Sequence, residues 1–151
     1  MRRAAVAASC IAVAAVAFAA VTLVALEGRA VAVLHTTSAS GDERRTRVWF
    51  VENDGALLVE SATPDRPFYL DLQRNPDLVV ELHAGMFDRQ PRILHARAEL
   101  VPDPQGHEEI RRLLAQRYGW ADKWIAVLAD TSMSREVRVV PDHFESGAGR
   151  R

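Results

Sequence analysis

The chain has 151 residues, of which 48% are hydrophobic and 26% are charged, and its formal net charge at pH 7 is −1. This near-neutral charge gives no electrostatic case for binding nucleic acid or acidic lipid through the protein as a whole. The single cysteine, Cys10, lies in an apolar N-terminal run, which excludes a disulfide framework, a Cys-x-x-Cys zinc site and a thiol nucleophile in the domain that follows. After that run about 120 residues remain, enough for one small domain with one core.

The uncharged run at residues 4–26 predicts a helix that crosses a membrane. At 1.5 Å per residue it measures roughly 34 Å, and a hydrocarbon layer is about 30 Å thick. A cleaved signal peptide is the alternative, because Ala17-Phe18-Ala19 fits a small-x-small cleavage site; the length of the apolar run favours an uncleaved anchor. Arg2 and Arg3 precede the run, and the positive-inside rule then places the domain outside the cytoplasm. This bias rests on few charges, so the side of the membrane stays open.

The chain therefore divides into an anchor or signal segment at 1–28, a domain at 29–142 and a disordered tail at 143–151. Within the domain, hydrophobic periodicity predicts strands at 30–37, 46–51, 56–61, 77–83, 92–101 and 135–140. Helices are predicted at 68–74, 107–118 and 121–129. Six strands on a small chain favour a mainly β fold, namely a closed or nearly closed six-stranded barrel with the helices packed outside it.

A polar turn at 38–42 joins the first two predicted strands, and three arginines follow it. Serine and glycine leave backbone N–H groups free to point at an anion, and guanidinium groups can clamp that anion. The turn and the arginines that follow it, Arg44, Arg45 and Arg47, can therefore form an anion site. The alternative is an ordinary turn between strands with solvated charges.

Several common chemistries have no signature in this sequence. There is no Gly-x-Gly-x-x-Gly after the first strand, no phosphate-loop lysine and no Gly-x-Ser-x-Gly elbow. The five histidines are scattered without metal-ligand spacing, so no metal site is predicted. His83 and His95 lie on neighbouring predicted strands, which keeps a haem-binding role for them as an alternative.

The segment PFYLDLQRNPDLVVE at 67–81 is similar to the W-Y-x-N-L…N-P-x-V-x-V-E pattern of the deazaflavin-dependent nitroreductase and quinone reductase family. From residue 33 to 141 the chain resembles this family, whose members have the split β-barrel of flavin reductases and pyridoxamine-phosphate oxidases. The resemblance thus implies a six-stranded split β-barrel. Shorter matches are Thr36-Thr37, Ser40-Gly41-x-x-Arg44, Val48-Trp49-Phe50 and Ser61-Ala62.

The resemblance implies a hydride carrier in the groove of the barrel, either a deazaflavin coenzyme of the F-420 type or FMN. Family members usually have Arg-Lys before the Ser-Gly pair, where this chain has Ser38-Ala39, so Arg45, Arg47 or Arg66 would have to compensate. The implied phosphate-tail contacts are Ser40, Gly41, Arg44 and Arg45. The implied contacts along the ring system are Ser61, Ala62, Thr63 and Phe68.

An apolar acceptor site near the membrane is expected from three aromatic residues, Tyr118, Trp120 and Trp124. The alternative for these residues is packing between the helices and the barrel. The resulting hypothesis is a membrane-anchored oxidoreductase that passes hydride to a quinone-like or nitroaromatic acceptor and, as related barrels often do, forms a homodimer. The alternatives are a non-catalytic split barrel that has lost its cofactor, which the missing basic pair favours, and a haem-binding split barrel. No catalytic residue is identified by the sequence.

Overall fold

The computed structural model describes residues 2–85, 88–101 and 104–142, so the predicted tail at 143–151 lies outside the described residues. Four helices and seven strands make up the described part. The helices are α1 (Arg2–Glu27), α2 (Pro67–Arg74), α3 (Pro104–Tyr118) and α4 (Trp120–Leu128). The strands are β1 (Val31–Thr37), β2 (Glu43–Val48), β3 (Phe50–Asn53), β4 (Ala56–Ser61), β5 (Asp77–His83), β6 (Arg92–Val101) and β7 (Arg135–Pro141).

The strands form one antiparallel sheet in the order β2-β1-β5-β6-β7-β4-β3, which curls into a half-barrel. Its two edge strands, β2 and β3, are consecutive in the chain and are separated only by Trp49. The mainly β fold with an N-terminal helix, expected from the sequence, is therefore confirmed. Among the described residues, α1 is the one helix that is long and apolar enough to cross a membrane, judged by length and composition.

The expected count of six strands is wrong, because the predicted strand at 46–51 divides into two at Trp49. Before this residue the chain pairs with β1, where Val48 lies opposite Ala32; after it the chain pairs with β4, where Phe50 lies opposite Val59. The alternation of apolar residues continues through the corner on both sides, so the sequence period carries no sign of it. In addition, β2 starts at Glu43, which places the arginines inside a strand rather than at its entrance.

The main core lies between the inner face of the sheet and α2. Phe68, Tyr69 and Leu72 of α2 are buried against strand residues such as Leu34 and Val80. Full burial of a side chain of this size stabilises a fold by about 1.5–3 kcal/mol. Because α2 is only eight residues long, this packing rather than its intrinsic helical propensity holds it in place.

A second core cluster attaches the other helices to the outside of β3 and β4. Ile110, Leu114 and Tyr118 of α3 are buried against Val51 and Leu58. Ala25 of α1 and Ala121 of α4 belong to the same cluster. The N-terminal helix is therefore packed against the barrel at its C-terminal end, and its side chains from Ser9 to Val21 are exposed.

The Tyr118 hydroxyl lies in the corner where β1 begins and β2 gives way to β3. It lies 2.9 Å from the Ala30 carbonyl oxygen and 3.0 Å from that of Phe50, and it accepts the Phe50 N–H at 3.1 Å. Burial raises the pKa of Tyr118 above its usual 10.0, so the phenol keeps its proton and remains a donor. The ring stacks on Trp49, with centroids 4.4 Å apart and planes inclined by 7°.

We expect Tyr118→Phe to lower the free energy of unfolding by about 1–3 kcal/mol, because the buried Phe50 N–H loses its acceptor while the ring is kept. The measurement is chemical denaturation of the full chain in detergent micelles. Tyr69→Phe is the matched control, since Tyr69 is equally buried and its hydroxyl has no hydrogen-bond partner among the described residues. An equal loss in both variants would show that the corner hydroxyl has no special role.

Candidate functional site

A groove of about 560 Å³ runs beside β2, within the range of small-molecule sites. Its polarity changes along the strand, since Arg44 and Val48 both line it and lie four residues, or roughly 13 Å, apart. Its cationic residues are Arg44, Arg45, Arg47 and Arg66. Its apolar residues at the α1 side are Leu26, Val31, Trp49, Leu114 and Ile125.

The wall of the groove is an edge strand. On one side β2 pairs with β1, and on the other it pairs with no strand in the described part of the chain. An edge strand presents a row of main-chain N–H and C=O groups. The groove therefore combines backbone donors and acceptors with positive charge at one end and apolar surface at the other.

Arg44 is held in a defined position by a buried carboxylate. Its Nε donates to Asp71 Oδ2 at 2.7 Å, and the Asp71 side chain is only 3% exposed. The Thr36 hydroxyl donates to the same oxygen at 3.0 Å. Arg44 also lines the groove, so its guanidinium group is already ordered there by the buried carboxylate. Arg66 directly precedes α2, and its carbonyl oxygen accepts the first helical hydrogen bond, from the Leu70 N–H. Its side chain makes no ion pair with the described residues.

Arg45 belongs to a different charged cluster, on the outer face of the sheet. Its Nη2 lies 3.1 Å from both Glu81 carboxylate oxygens, and His35 Nε2 lies 2.9 Å from Glu81 Oε1. Burial raises the pKa of Glu81, but the hydrogen bond from His83 and the charges of Arg45 and His35 outweigh it, so the pKa lies below its usual value. This carboxylate therefore neutralises part of the positive charge that the sequence suggested.

The predicted tail-binding residues are divided between two places. Arg44 and Arg45 line the groove, whereas Ser40 and Gly41 lie in the turn before β2 and are not among the lining residues. The Ser40 hydroxyl donates to Asp42 Oδ2 at 2.5 Å, and Gly41 adopts a φ of 90°, which only glycine tolerates easily. Gly41 instead borders a second depression beside Thr36 and His95.

The predicted ring contacts are divided in a similar way. Ala62 and Phe68 line the groove, whereas Ser61 and Thr63 do not. Ser61 is fully buried, and its hydroxyl donates to the Thr63 carbonyl oxygen at 2.7 Å. The Thr63 hydroxyl is hydrogen-bonded to Asp65. Both hydroxyls thus shape the turn between β4 and α2 that carries Ala62.

The three aromatic residues expected at the acceptor site lie away from the groove lining. Tyr118 is buried in the corner described above, and Trp120 is exposed on α4. Trp124 packs on α1, where its ring centroid lies 5.4 Å from that of Phe18. Trp49 lines the groove instead, and its Nε1 donates to the Leu26 carbonyl oxygen at 3.3 Å.

Glu60 is a groove residue that the sequence did not single out. Its Oε2 accepts from Arg111 Nη1 at 2.9 Å, and Arg111 Nη2 donates to Asp122 at 2.8 Å. Burial lowers the pKa of Arg111, but the two carboxylates outweigh it and raise the pKa, so the guanidinium stays charged. The other oxygen, Glu60 Oε1, is buried without a hydrogen-bond partner among the described residues. A ligand N–H or O–H group in the groove would satisfy it.

The histidines form no metal centre in the described part of the chain, where no group of three or more His, Cys, Asp or Glu side chains is arranged to hold an ion. His95 lies opposite Val79, so His83 is four residues farther along β5, about 13 Å away. The side chain of His83 contacts Glu81 at 3.4 Å.

We expect Arg44→Ala to destabilise the fold by about 1–3 kcal/mol, since it leaves the buried Asp71 carboxylate with a weaker set of partners. Arg45→Ala is the matched control, because Arg45 is more exposed and its ion pair is worth about 0–1 kcal/mol. Denaturation midpoints of the two variants provide the measurement. Equal, small losses would contradict the view that Asp71 orders Arg44.

Comparison with known proteins shows which family this chain belongs to. The chain matches the model of the F420H(2)-dependent quinone reductase family over residues 12–127. No curated protein sequence matches the chain. A solved structure titled F420 reductase superposes with a TM-score of 0.57 at 19% identity, covering 80% of this chain and 93% of the other.

Two further solved structures share the fold. A putative pyridoxamine 5'-phosphate oxidase from Listeria innocua has a TM-score of 0.55 at 19% identity, covering 80% of this chain and 90% of that one. The heme storage protein HutZ from Vibrio cholerae has a TM-score of 0.56 at 20% identity, covering 75% and 82%. These likenesses confirm the split-barrel architecture, and the family match over most of the chain confirms the resemblance carried by residues 67–81. This chain therefore belongs to the F420H(2)-dependent quinone reductase family.

Proposed function

We propose that the groove beside β2 binds a reduced deazaflavin coenzyme and that the protein transfers hydride from it to a quinone-type acceptor. Membership of the F420H(2)-dependent quinone reductase family supports a deazaflavin-dependent oxidoreductase. The observation that carries the proposal further is the change from cationic to apolar lining along one strand. A coenzyme with an apolar ring system and an anionic tail has the same polarity along its length.

The cationic end suits the anionic tail. Arg44 meets it without further ordering, because Asp71 already fixes the guanidinium, and pre-ordering reduces the entropic cost of binding. Arg66 adds an exposed positive charge at the start of α2. Ser40 and Gly41 lie just beyond the start of β2, so their predicted contact requires the tail to extend past Arg44 toward that turn.

The remaining lining suits the ring. Ala62 and Phe68 provide apolar contact, and the exposed backbone of β2 provides donors and acceptors for ring heteroatoms. Glu60 Oε1 is an acceptor that needs a donor, and its negative charge disfavours an anionic tail on its side. The carboxylate therefore favours one orientation, with the tail toward the arginines.

When bound, the coenzyme supplies the hydride chemistry, and the protein supplies position, charge and exclusion of water. The apolar residues at the other end of the groove, including Leu26 and Ile125, suit an apolar acceptor such as a quinone. A nitroaromatic acceptor fits the same lining. The role proposed here for Trp49 is to close the groove at the corner, where its indole is fixed by Leu26 and Tyr118.

The test measures binding of the purified coenzyme to the full chain by fluorescence and by thermal shift. We expect Arg66→Ala to weaken binding by about 1–2 kcal/mol, or roughly five- to thirtyfold in Kd, because it removes one charge-assisted contact to the tail. Arg112→Ala is the control; this arginine is exposed on α3, is not among the groove-lining residues, and should change Kd less than about twofold.

Three outcomes would contradict the proposal. Equal effects of Arg66→Ala and Arg112→Ala would place the tail elsewhere. Tight binding of FMN with no binding of deazaflavin would show that FMN is the coenzyme instead. If neither coenzyme binds, a Soret band on addition of haem would favour a haem-binding barrel. Without such a band, a non-catalytic barrel would be favoured.

A further inference from the structure

The exposed surface of α1 continues onto α4. The strongly apolar window of α1, Ser9–Leu26, is only 6% buried, and its side chains have no protein cover over most of their length. Water is a poor environment for such a surface, whereas a helix of this length and composition fits a bilayer. Whatever packs beside the C-terminal half of this window must therefore share its surroundings.

Two contacts fix α4 beside that half of α1. The rings of Phe18 and Trp124 lie 5.4 Å apart, and Trp124 Nε1 donates to Thr22 Oγ1 at 3.1 Å. Phe18 precedes Leu26 by eight residues, which corresponds to about 12 Å along a helix. If α1 crosses a membrane up to Leu26, α4 cannot lie wholly in water above the lipid, because its partner Phe18 lies about 12 Å back along the span.

The surface of α4 has the composition of an interfacial helix. Trp120 is 49% exposed and Val127 is 83% exposed. The helix has two charged residues: Asp122, which is buried and paired with Arg111, and Lys123, which is exposed. Tryptophan and lysine beside exposed aliphatic residues are typical of helices that lie in the headgroup region, where lysine extends its charge to water. Leu128 at the end of α4 and Met133 in the loop after it are also exposed apolar side chains.

We propose that α4 lies in the lipid interface beside α1, with Trp120, Val127, Leu128 and Met133 among the headgroups and upper acyl chains. The occupant of this surface is thus the bilayer itself rather than a second protein. Ile125 of α4 and Leu26 of α1 both line the groove, so the apolar end of the groove opens at the lipid surface. That last consequence rests on the proposed function: the acceptor then belongs to the class of lipid-dissolved quinones and enters from the membrane.

The test measures depth and does not depend on turnover. Cys10 is the single cysteine, so a Cys10→Ser background allows one spin label at a time in the full chain, reconstituted in vesicles of phosphatidylcholine and phosphatidylglycerol. Labels at Val127→Cys and at the exposed turn position Ala39→Cys are compared for collision with lipid-soluble oxygen and with a water-soluble nickel chelate. Ala39 follows β1 and is eight residues beyond Val31, so it lies past the end of the strand that is distant from α1. Val16→Cys, on the exposed part of α1, is the reference for a label inside the bilayer.

We expect the oxygen-to-nickel ratio at Val127 to exceed that at Ala39 severalfold and to approach, without reaching, that at Val16. A ratio at Val127 equal to that at Ala39 would overturn the proposal, because α4 would then face water. A water-like ratio at Val16 would also overturn it, since α1 would not be inserted. Concentration-dependent coupling between Val127 labels on different molecules would show that a second copy covers this surface instead. If the protein binds no deazaflavin but the ratio at Val127 is high as expected, this inference is supported and the proposed function is contradicted.

Discussion

The hydrogen bonds of the Tyr118 hydroxyl hold together the corner from which the groove is built. They join the end of α3 to Ala30, where β1 is about to begin, and to Phe50, where β3 begins. Because Trp49 stacks on the same ring and also reaches Leu26, one buried phenol positions the sheet edge, α3 and the end of α1 together. A buried backbone N–H without this acceptor would be costly, which gives the corner a single favoured arrangement.

Two of the charges around the groove, Arg44 and Glu60, are held by partners. Asp71 orders Arg44 from the core side, and Arg111 orders Glu60 from the helix side. Asp71 is well buried while Arg44 is partly exposed, and Arg111 and Glu60 are both partly buried, so each groove side chain keeps its direction at little entropic cost. The groove is consequently polar at one end and apolar at the other before any ligand is present, which is the property on which the proposed function depends.

The N-terminal helix is part of the same arrangement. The family match begins at residue 12, inside α1, and Ala25 is buried in the cluster that also holds Tyr118. Cleavage near Ala17-Phe18-Ala19 would remove the Phe18 ring from Trp124, which favours the proposal that the helix is retained as an anchor. Retention of α1 in a membrane would place the groove beside the bilayer, as the proposed quinone-type acceptor requires.

Local pattern in the sequence determined most of the elements, because period-two and period-3.6 hydrophobicity reports which face each segment buries. The motif at residues 67–81 identified the family, and the resemblance implied four of the residues that line the groove, Arg44, Arg45, Ala62 and Phe68. Only the tertiary structure decided the strand break at Trp49, the orphaned oxygen of Glu60, the burial of Tyr118 and the position of Ser40 outside the groove. These features depend on contacts between residues far apart in the chain, such as Glu60 with Arg111 and Tyr118 with Ala30, which no local period encodes.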